Sequence, residues 1–302
     1  MDWLHHPPFA RQRVKTIELL RHDEYDFRKI KKVVFLCGGF RSARRDALNQ
    51  YLKRFADDTV VFFAEAVWAV IANASPATNA LLVEERLAEL ADIVIVIVES
   101  PGTFAEVGAF AISSCLRAKL LPILDASHKT EDSFLVTGPI RWVDADSQFA
   151  PTIWTDFDQL LVAGMEIESR LDRIPRTRPI RMKQAQLITS PKHLLFFVCD
   201  IVAVFGPCPV AHITDTVAQI LNLDTPTVDI NFYVALGKAM GLLGSFNLDG
   251  SELFFRLLRD GRLPSFQRKR HIDLATLRSE VLSAMQSCEP CMAALLEMGR
   301  QE

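Results

Sequence analysis

No apolar run in this 302-residue chain is long enough to cross a bilayer. The nearest approach, LLFFVCDIVAVF (194–205), falls short of the roughly 20 residues a helical span needs, and Asp200 would lie unpaired in hydrocarbon. The N-terminal stretch MDWLHHPPFARQRVK lacks the apolar core of a signal peptide. A cytoplasmic protein with no membrane association is therefore expected. A strong excess of one charge is also missing. The formal net charge is -3, so any surface for a polyanion must be local. There is no GxGxxG fingerprint, hence no cradle for a dinucleotide hydride carrier, and no internal repeat or low-complexity tract. The cysteines number six. Cys37 and Cys115 sit inside apolar or helical patterns and are expected in the core, reduced. Only CEPC, with Cys288 and Cys291, has redox or zinc spacing, and Cys199 and Cys208 would complete a four-thiolate set. A lone CxxC more often marks buried thiols in a helix, so no metal is expected.

What is present is an alternation of strand and helix. Hydrophobic residues make up 49% and charged residues 24%, enough for two domains with separate cores. VVFLC (33–37) ends in Gly38-Gly39 and runs into a charged amphipathic helix through Phe55. TVVFF (59–63) leads into helical material, clearest in NALLVEERLAELA (79–91). DIVIVIV (92–98) precedes a helix from about Thr103 to Leu116, and LLPIL (120–124) follows it. Short strands apolar on both faces, separated by helices, predict a parallel sheet covered on both sides. IRWV (140–143) is expected as a weaker strand, and 156–171 as the closing helix. The expected fold class is α/β, an open parallel sheet of Rossmann-like kind, followed by a mostly α domain. The chain then divides into an N-terminal arm (1–31), an α/β domain (32–169), a basic linker (170–184) and a helical domain (185–302).

The linker, RLDRIPRTRPIRMK (170–183), carries six basic residues, one acid and two prolines. Beyond it, helical stretches at 192–205, 210–222 and 228–242 precede GLLGSFNLDGSELFFRL, which predicts a β-hairpin turned at Asp249-Gly250. Three helices and a hairpin outline a winged helix-turn-helix, and a last helix is expected at 274–285. The recognition helix of that outline, VDINFYVALGKAMGLL (228–243), has one lysine and no arginine, a poor tool for gripping phosphates. Phosphate contacts are expected instead from the linker, at Arg176 and Arg178, and from a cluster at Arg256, Arg259, Arg262, Arg268, Lys269 and Arg270, above all its last three. Residues 184–302 hold ten Lys and Arg against twelve Asp and Glu, so the domain is no general DNA binder.

The stretch IVIVIVESPGTFAEVGAF (93–110) carries the chemistry. Thr103-Phe104-Ala105-Glu106 matches a capping box, in which Glu106 starts a helix and Glu99 is a solvated strand end. Against that, Gly102 lets the backbone approach a ligand, and Gly108, Ala109 and Ala111 keep the following helix slim. A Pro101-Gly102 turn would set Glu99 and Glu106 on opposite lips of one loop. Two carboxylates facing a small cleft suit glycosidic cleavage, whose transition state carries positive charge at the anomeric carbon. The second acid can orient a ribose hydroxyl or manage a proton. Gly38 and Gly39 could offer bare N–H groups to a phosphate or ribose. Arg41, Arg44 and Arg45 could meet a pyrophosphate, though a charge run is usually a solvated face.

ESPGTFAEVGAFA resembles the nucleoside deoxyribosyltransferase-like motif of an acid, Gly-Thr, a nucleophilic glutamate and Gly-Ala. VFLCGG (34–39), EERLAELADIVIVIVESPGTFAEVGAFA (84–111) and GPIRWV (138–143), in that order, resemble retron effector proteins with an N-glycosidase domain followed by a winged helix-turn-helix. The resemblance is good over about 32–143. It implies a toxin kept silent by a retron reverse transcriptase and its multicopy single-stranded DNA, released on phage infection. NAD+ is the implied substrate, with no cofactor, and a homo-oligomer is implied. Carried over by position, Glu106 is the nucleophile or oxocarbenium-stabilising carboxylate, and Glu99 the acidic helper, one residue further away than in the simplest deoxyribosyltransferases. Cys37, Gly38, Gly39, Phe40, Glu84, Ser100, Gly102 and Thr103 form the expected substrate-binding set. Transfer or hydrolysis on nucleosides or nucleotides, ADP-ribose transfer, and a nucleotide-sensing regulator without catalysis stay open.

Overall fold

A computed structural model describes residues 6–27, 31–74, 80–175, 180–223, 228–257, 266–267 and 273–301. The chain forms two compact units, 31–176 and the combination of 1–30 with 177–302. Helix α1 (Pro7–Leu20) and strand β1 (Glu24–Phe27) belong to the second unit, and β2 (Lys32–Cys37) opens the first.

In the first unit β2 leads to α2 (Ala43–Phe55), β3 (Thr59–Phe62), α3 (Ala64–Ala74), α4 (Ala80–Leu90) and β4 (Ile93–Ile97). Then come α5 (Pro101–Ile112), α6 (Ser114–Arg117), β5 (Leu120–Asp125), α7 (Arg141–Asp146), β6 (Ile153–Thr155) and α8 (Gly164–Leu171). The five strands pair in the order β3-β2-β4-β5-β6, every neighbour parallel. Counted within the sheet this is 2-1-3-4-5, an order whose direction reverses between β2 and β4. Every residue of β2 and β4 is buried, as expected of central strands covered on both faces, whereas the edge strand β3 alternates. Val34, Leu36, Ile93, Ile95 and Ile97 pack on one side with Leu48 and Leu52 of α2 and with Phe157, Leu160 and Ile167. On the other side Phe35 meets Phe110 of α5, ring centroids 6.4 Å apart. Each fully buried side chain of this size contributes about 1.5–3 kcal/mol.

Three expectations for this unit change. IRWV is no strand: residues Val136–Ile140 form a π-helical turn that continues into α7. Ile140 and Val143 are buried while Arg141 and Trp142 are exposed, a three-residue period that fits a helix and would split a strand's faces. The fifth strand is Ile153–Thr155, whose flank is fixed by the Asp144 carboxylate accepting from Thr152 N and Oγ1, both at 2.7 Å. The closing helix over 156–171 is a 3₁₀ segment, Phe157–Ala163, followed by α8. Cys115, expected in the core, is exposed.

The second unit adds β7 (Ile180–Lys183), α9 (Gln184–Ile188), α10 (Pro191–Phe205), β8 (Cys208–Pro209), α11 (Val210–Ile220) and α12 (Ile230–Ala239). These are followed by β9 (Leu243–Leu248), β10 (Ser251–Arg256), β11 (Phe266–Gln267), α13 (Leu274–Gln286) and α14 (Glu289–Gln301). The long apolar run of the sequence is α10, buried from Leu194 through Phe205 as the core helix. Its Asp200 faces Arg256 at 3.8 Å, so Arg256 is a buried counter-charge and not part of a basic surface. The other five members of that cluster, Arg259, Arg262, Arg268, Lys269 and Arg270, and likewise Arg176 and Arg178, lie outside the described residues. Strands β9 and β10 form the expected hairpin, with Leu248 opposite Ser251. Asp249 and Gly250 both have positive φ, 47° and 77°, which a two-residue I′ turn requires.

Residues expected as an arm are woven into this unit. Strand β1 lies between β7 and β11, antiparallel to both. Arg13 of α1 donates to Asp215 at 2.5 Å and to Thr216 at 2.9 Å. The expected linker is partly structured as well, since Arg170 and Leu171 end α8 and Ile180–Lys183 is β7. Cys199, Cys208, Cys288 and Cys291 are buried free thiols. Among the described residues no helix is long and apolar enough to cross a membrane.

Candidate active site

A cavity of about 360 Å³ opens at the carboxyl ends of β2 and β4, where the sheet order reverses. Its volume suits a small ligand, and its position is where open α/β sheets bind them. Phe35, Leu36, Cys37, Gly38 and Phe40 line it from β2 and the turn beyond. Arg45 enters from α2, Ala64 and Glu65 from the first turn of α3, and Glu84 from α4. Ser100, Gly102, Thr103 and Glu106 close it from the start of α5.

The start of α5 differs from the expected capping box. Ser100 is the N-cap and Thr103 the third helical residue. Thr103 Oγ1 accepts from the N–H groups of Glu99 and Ser100, both at 3.0 Å, and donates to the Ser100 carbonyl at 2.8 Å. Pro101 and Gly102 are therefore the first residues of the helix, not a separate tight turn. Proline suits that place because its missing N–H would have had no intrahelical partner. With the cap satisfied by Ser100 and Thr103, Glu106 lies nearly a turn further on, free of any capping duty, and lines the cavity.

Three carboxylates and one guanidinium share this space. Burial, then the charges of Glu84 and Glu65, push the Glu106 carboxyl up to about 7, against the pull of the Cys37 thiol and Arg45. Its Oε2 is buried with no hydrogen-bond partner, which favours the protonated form. Glu84 is raised by burial and then by Glu65. The Cys37 thiol is raised by burial first and then by the three acids, so it stays protonated, a neutral donor beside Glu106. Arg45 is buried, donating to Glu65 at 2.6 Å with its guanidinium 4.6 Å above the Phe63 ring. With Arg45 matched to Glu65, Glu84 and Glu106 leave the cavity negative whenever both are ionised. That field favours a ligand carrying or developing positive charge.

Glu99 is not a lining residue. Its Oε1 accepts from the Gly39 N–H at 2.9 Å and its Oε2 from Arg44 Nη1 at 3.1 Å. Arg44 in turn donates to the Phe157 carbonyl at 2.9 Å, and its guanidinium stacks 5.1 Å from that ring. One acid thus ties the turn after β2 to the end of β4, and through Arg44 to the segment after β6. A Cβ on Gly38 or Gly39 would come within 3.3 or 3.4 Å of Glu99 Oε1. The glycines give this carboxylate room, and Gly39 has already committed its N–H to it. Of the expected substrate-binding set, the cavity gathers Cys37, Gly38, Phe40, Glu84, Ser100, Gly102 and Thr103 with Glu106, and leaves out Gly39. Sequence reasoning missed Glu65. Its signal was its place in TVVFFAE, just past the second strand, at the sheet end where ligand groups gather.

Residues 41–245 match the family described as STM3845 retron effector protein. The chain belongs to this family. The match runs from α2 into β9 and so includes Glu65, Glu84 and Glu106. Similar to this retron effector is the Escherichia coli protein named "Retron Ec73 putative ribosyltransferase/DNA-binding protein", 31% identical over 65% of this chain and 69% of its own. A second, "Retron Ec86 putative ribosyltransferase/DNA-binding protein" from the same organism, is 38% identical over 37% of each chain. Family membership places the chain in retron-associated defence and implies association with retron components.

Proposed function

We propose that this retron effector is an N-glycosidase that cleaves the nicotinamide–ribose bond of NAD+ and so depletes it. The observation that carries the reading is Glu106, a partly buried carboxyl among two further acids in a cavity at the sheet's switch point. Nicotinamide in NAD+ is a cationic leaving group and departs neutral without needing a proton. The barrier therefore lies in the positive charge left on the ribose, which a carboxylate at the anomeric carbon stabilises or captures. An incoming cation also favours the ionised form of Glu106, so binding and activation act in the same direction. Glu84 is placed to orient a ribose hydroxyl. Glu99 acts at one remove, by holding the turn that carries Gly38 and Phe40. The 2-1-3-4-5 sheet with a glutamate one turn into the helix after β4 supports a nucleoside deoxyribosyltransferase-like architecture.

The helices α10 to α12 with the β9–β10 hairpin support a winged helix-turn-helix reading of the second unit. Phe232 to Gly237 of α12 are buried, however, which leaves Asn231 and Lys238 as its outward polar groups. Nucleic-acid contact then falls to Arg176, Arg178, Arg268, Lys269 and Arg270, acting on phosphates. A reverse transcriptase and its DNA would hold the toxin silent through them. The relatives' printed names, ribosyltransferase and DNA-binding, agree with both halves of the reading. The test is product analysis by mass spectrometry after incubating the purified protein with NAD+. Nicotinamide and ADP-ribose in equal amounts are expected from the native protein and not from Glu106→Gln. A ribosyl adduct would turn the reading to transfer, and intact bound nucleotide to a sensor.

A further inference from the structure

Cys37 is the last residue of β2, buried, and lines the cavity together with Glu106. Period alone brings the two side chains together. Residues two apart on a strand share a face, so Cys37 points the way Phe35 does, about 6.6 Å nearer the carboxyl end. Helix α5 crosses back from β4 to β5, against the strand direction. Its Glu106 lies four residues before Phe110, about 6 Å along the axis and on nearly the same face. Phe35 meets Phe110, so the next rung of that ladder sets Cys37 against Glu106. The Cys37 thiol donates to the Glu106 carboxyl, and the carboxyl's Oε2 is left without a partner. The other donor side chains of the lining are engaged elsewhere. Arg45 Nη1 donates to Glu65 at 2.6 Å. Ser100 Oγ accepts from Thr103 N, and Thr103 Oγ1 donates to the Ser100 carbonyl at 2.8 Å, both serving the start of α5.

We infer that Cys37 is the positioning residue of this site, its thiol holding one oxygen of Glu106 so that the partnerless Oε2 faces the anomeric carbon. A carboxylate turns easily about its last bond unless a donor fixes it, and an oxygen that must meet one carbon gains from being fixed. Cys37 thus serves the substrate through Glu106 and need not touch it. A thiol suits the task. It is a weak donor, so it orients the carboxylate while withdrawing little of the negative charge that the ribose cation needs. Burial keeps it protonated, and hence a donor, while Glu106 titrates. The groups that act on Glu106 come from four elements: Glu84 of α4 and Glu65 of α3 raise it, and Cys37 of β2 and Arg45 of α2 lower it. The purpose assigned to the bond rests on the glycosidase reading, whereas the bond itself is independent of the substrate.

Cys37→Ala removes the donor, and Cys37→Ser replaces it with a stronger one of similar size. The Glu106 carboxyl is followed by carbon NMR of the full-length protein labelled in its glutamate side chains, its resonance assigned by its loss in Glu106→Gln. Relative to the native value of about 7, the alanine variant should titrate roughly half a pH unit higher and the serine variant lower, because a donor favours the charged form. Nicotinamide release should follow the same order. In Cys37→Ala, kcat should fall about tenfold with KM within about twofold, and Cys37→Ser should restore most of the loss. Cys37→Val, which fills the site without donating, should repeat the alanine result and keeps the test valid if the smaller side chain unsettles the fold. A thiol that only fills space predicts the reverse order, with the apolar substitutions mild and the buried serine hydroxyl the costlier change. Titration unmoved by the substitutions, or alanine turning over faster than serine, overturns the inference. If the native protein releases no nicotinamide while the titrations still move apart in the stated directions, the hold of Cys37 on Glu106 is upheld and the NAD+ reading falls.

Discussion

Replacing Glu106 with glutamine should stabilise the protein and silence it at once. The carboxyl titrates at about 7 in the folded chain against an ordinary 4.5, because it is buried among Glu84 and Glu65 with one oxygen unpartnered. A carboxyl whose folded value is raised binds its proton more tightly when folded. Its contribution is complete below pH 4.5 and is lost as the pH rises through 7. At about 1.4 kcal/mol per pH unit the gap corresponds to roughly 3 kcal/mol, and partial solvent access trims that to about 1–3 kcal/mol. Glutamine has the same shape and no charge to bury. Thermal melts of native protein and Glu106→Gln should therefore coincide at pH 4, while at pH 8 the variant melts several degrees higher, at about 2–4 °C per kcal/mol. Nicotinamide release by the same variant should fall by several orders of magnitude. A melting difference equal at both pH values would refute the buried-charge argument. Turnover within tenfold of native, about 1.4 kcal/mol of barrier, would refute the catalytic assignment.

The pH profile of kcat/KM for NAD+ should rise through a limb near 7, since Glu106 must be ionised to face a cationic centre. Glu84→Gln removes a neighbouring negative charge and should move that limb to lower pH; a limb that stays put would mean the two acids are not coupled. Glu99→Ala frees the Gly39 N–H and Arg44, so KM should rise while the limb near 7 remains. Loss of a limb would instead make Glu99 a proton-transfer group. Neutralising Arg268, Lys269 and Arg270 together should flatten the salt dependence of binding to a reverse transcriptase–DNA complex, by a log-log slope of up to about three. An unchanged slope would move the contact to the linker arginines or to protein surfaces.

The parallel sheet was legible because β2, β4 and β5 are buried on both faces and so appear as uninterrupted apolar runs. The hairpin was legible because Asp249-Gly250 is one of few pairs that tolerate positive φ at both positions. The fifth strand was not, for Ile153–Thr155 is three residues long and the four-residue IRWV upstream offers a β-favouring run of similar strength. Burial period decides that case, and period cannot be read from four residues. The place of α1 and β1 was hidden for another reason. Strand β1 pairs with β7 and β11, more than 150 positions away, and no local pattern announces a long-range partner.

At the site, sequence located the loop and grouped two acids that the structure sets in different surroundings. Glu99 and Glu106 both flank the start of α5, so spacing alone treats them as a pair. What separates them is the company each keeps. Both carboxylate oxygens of Glu99 accept, one from Gly39 and one from Arg44, and the side chain is 8% exposed. An acid with each oxygen engaged by a fixed donor is held in place, which suits a brace. Glu106 is the opposite case, with a partnerless oxygen and two like charges beside it. Such an arrangement costs stability and persists where the strain has a use. The second acid of the reaction should then be sought across the cavity, at Glu84, whose carboxyl is raised by burial and by Glu65. On the proposed reading the working pair lies on α4 and α5, two helices on either side of β4 in the chain, and only the fold brings both acids to one cavity.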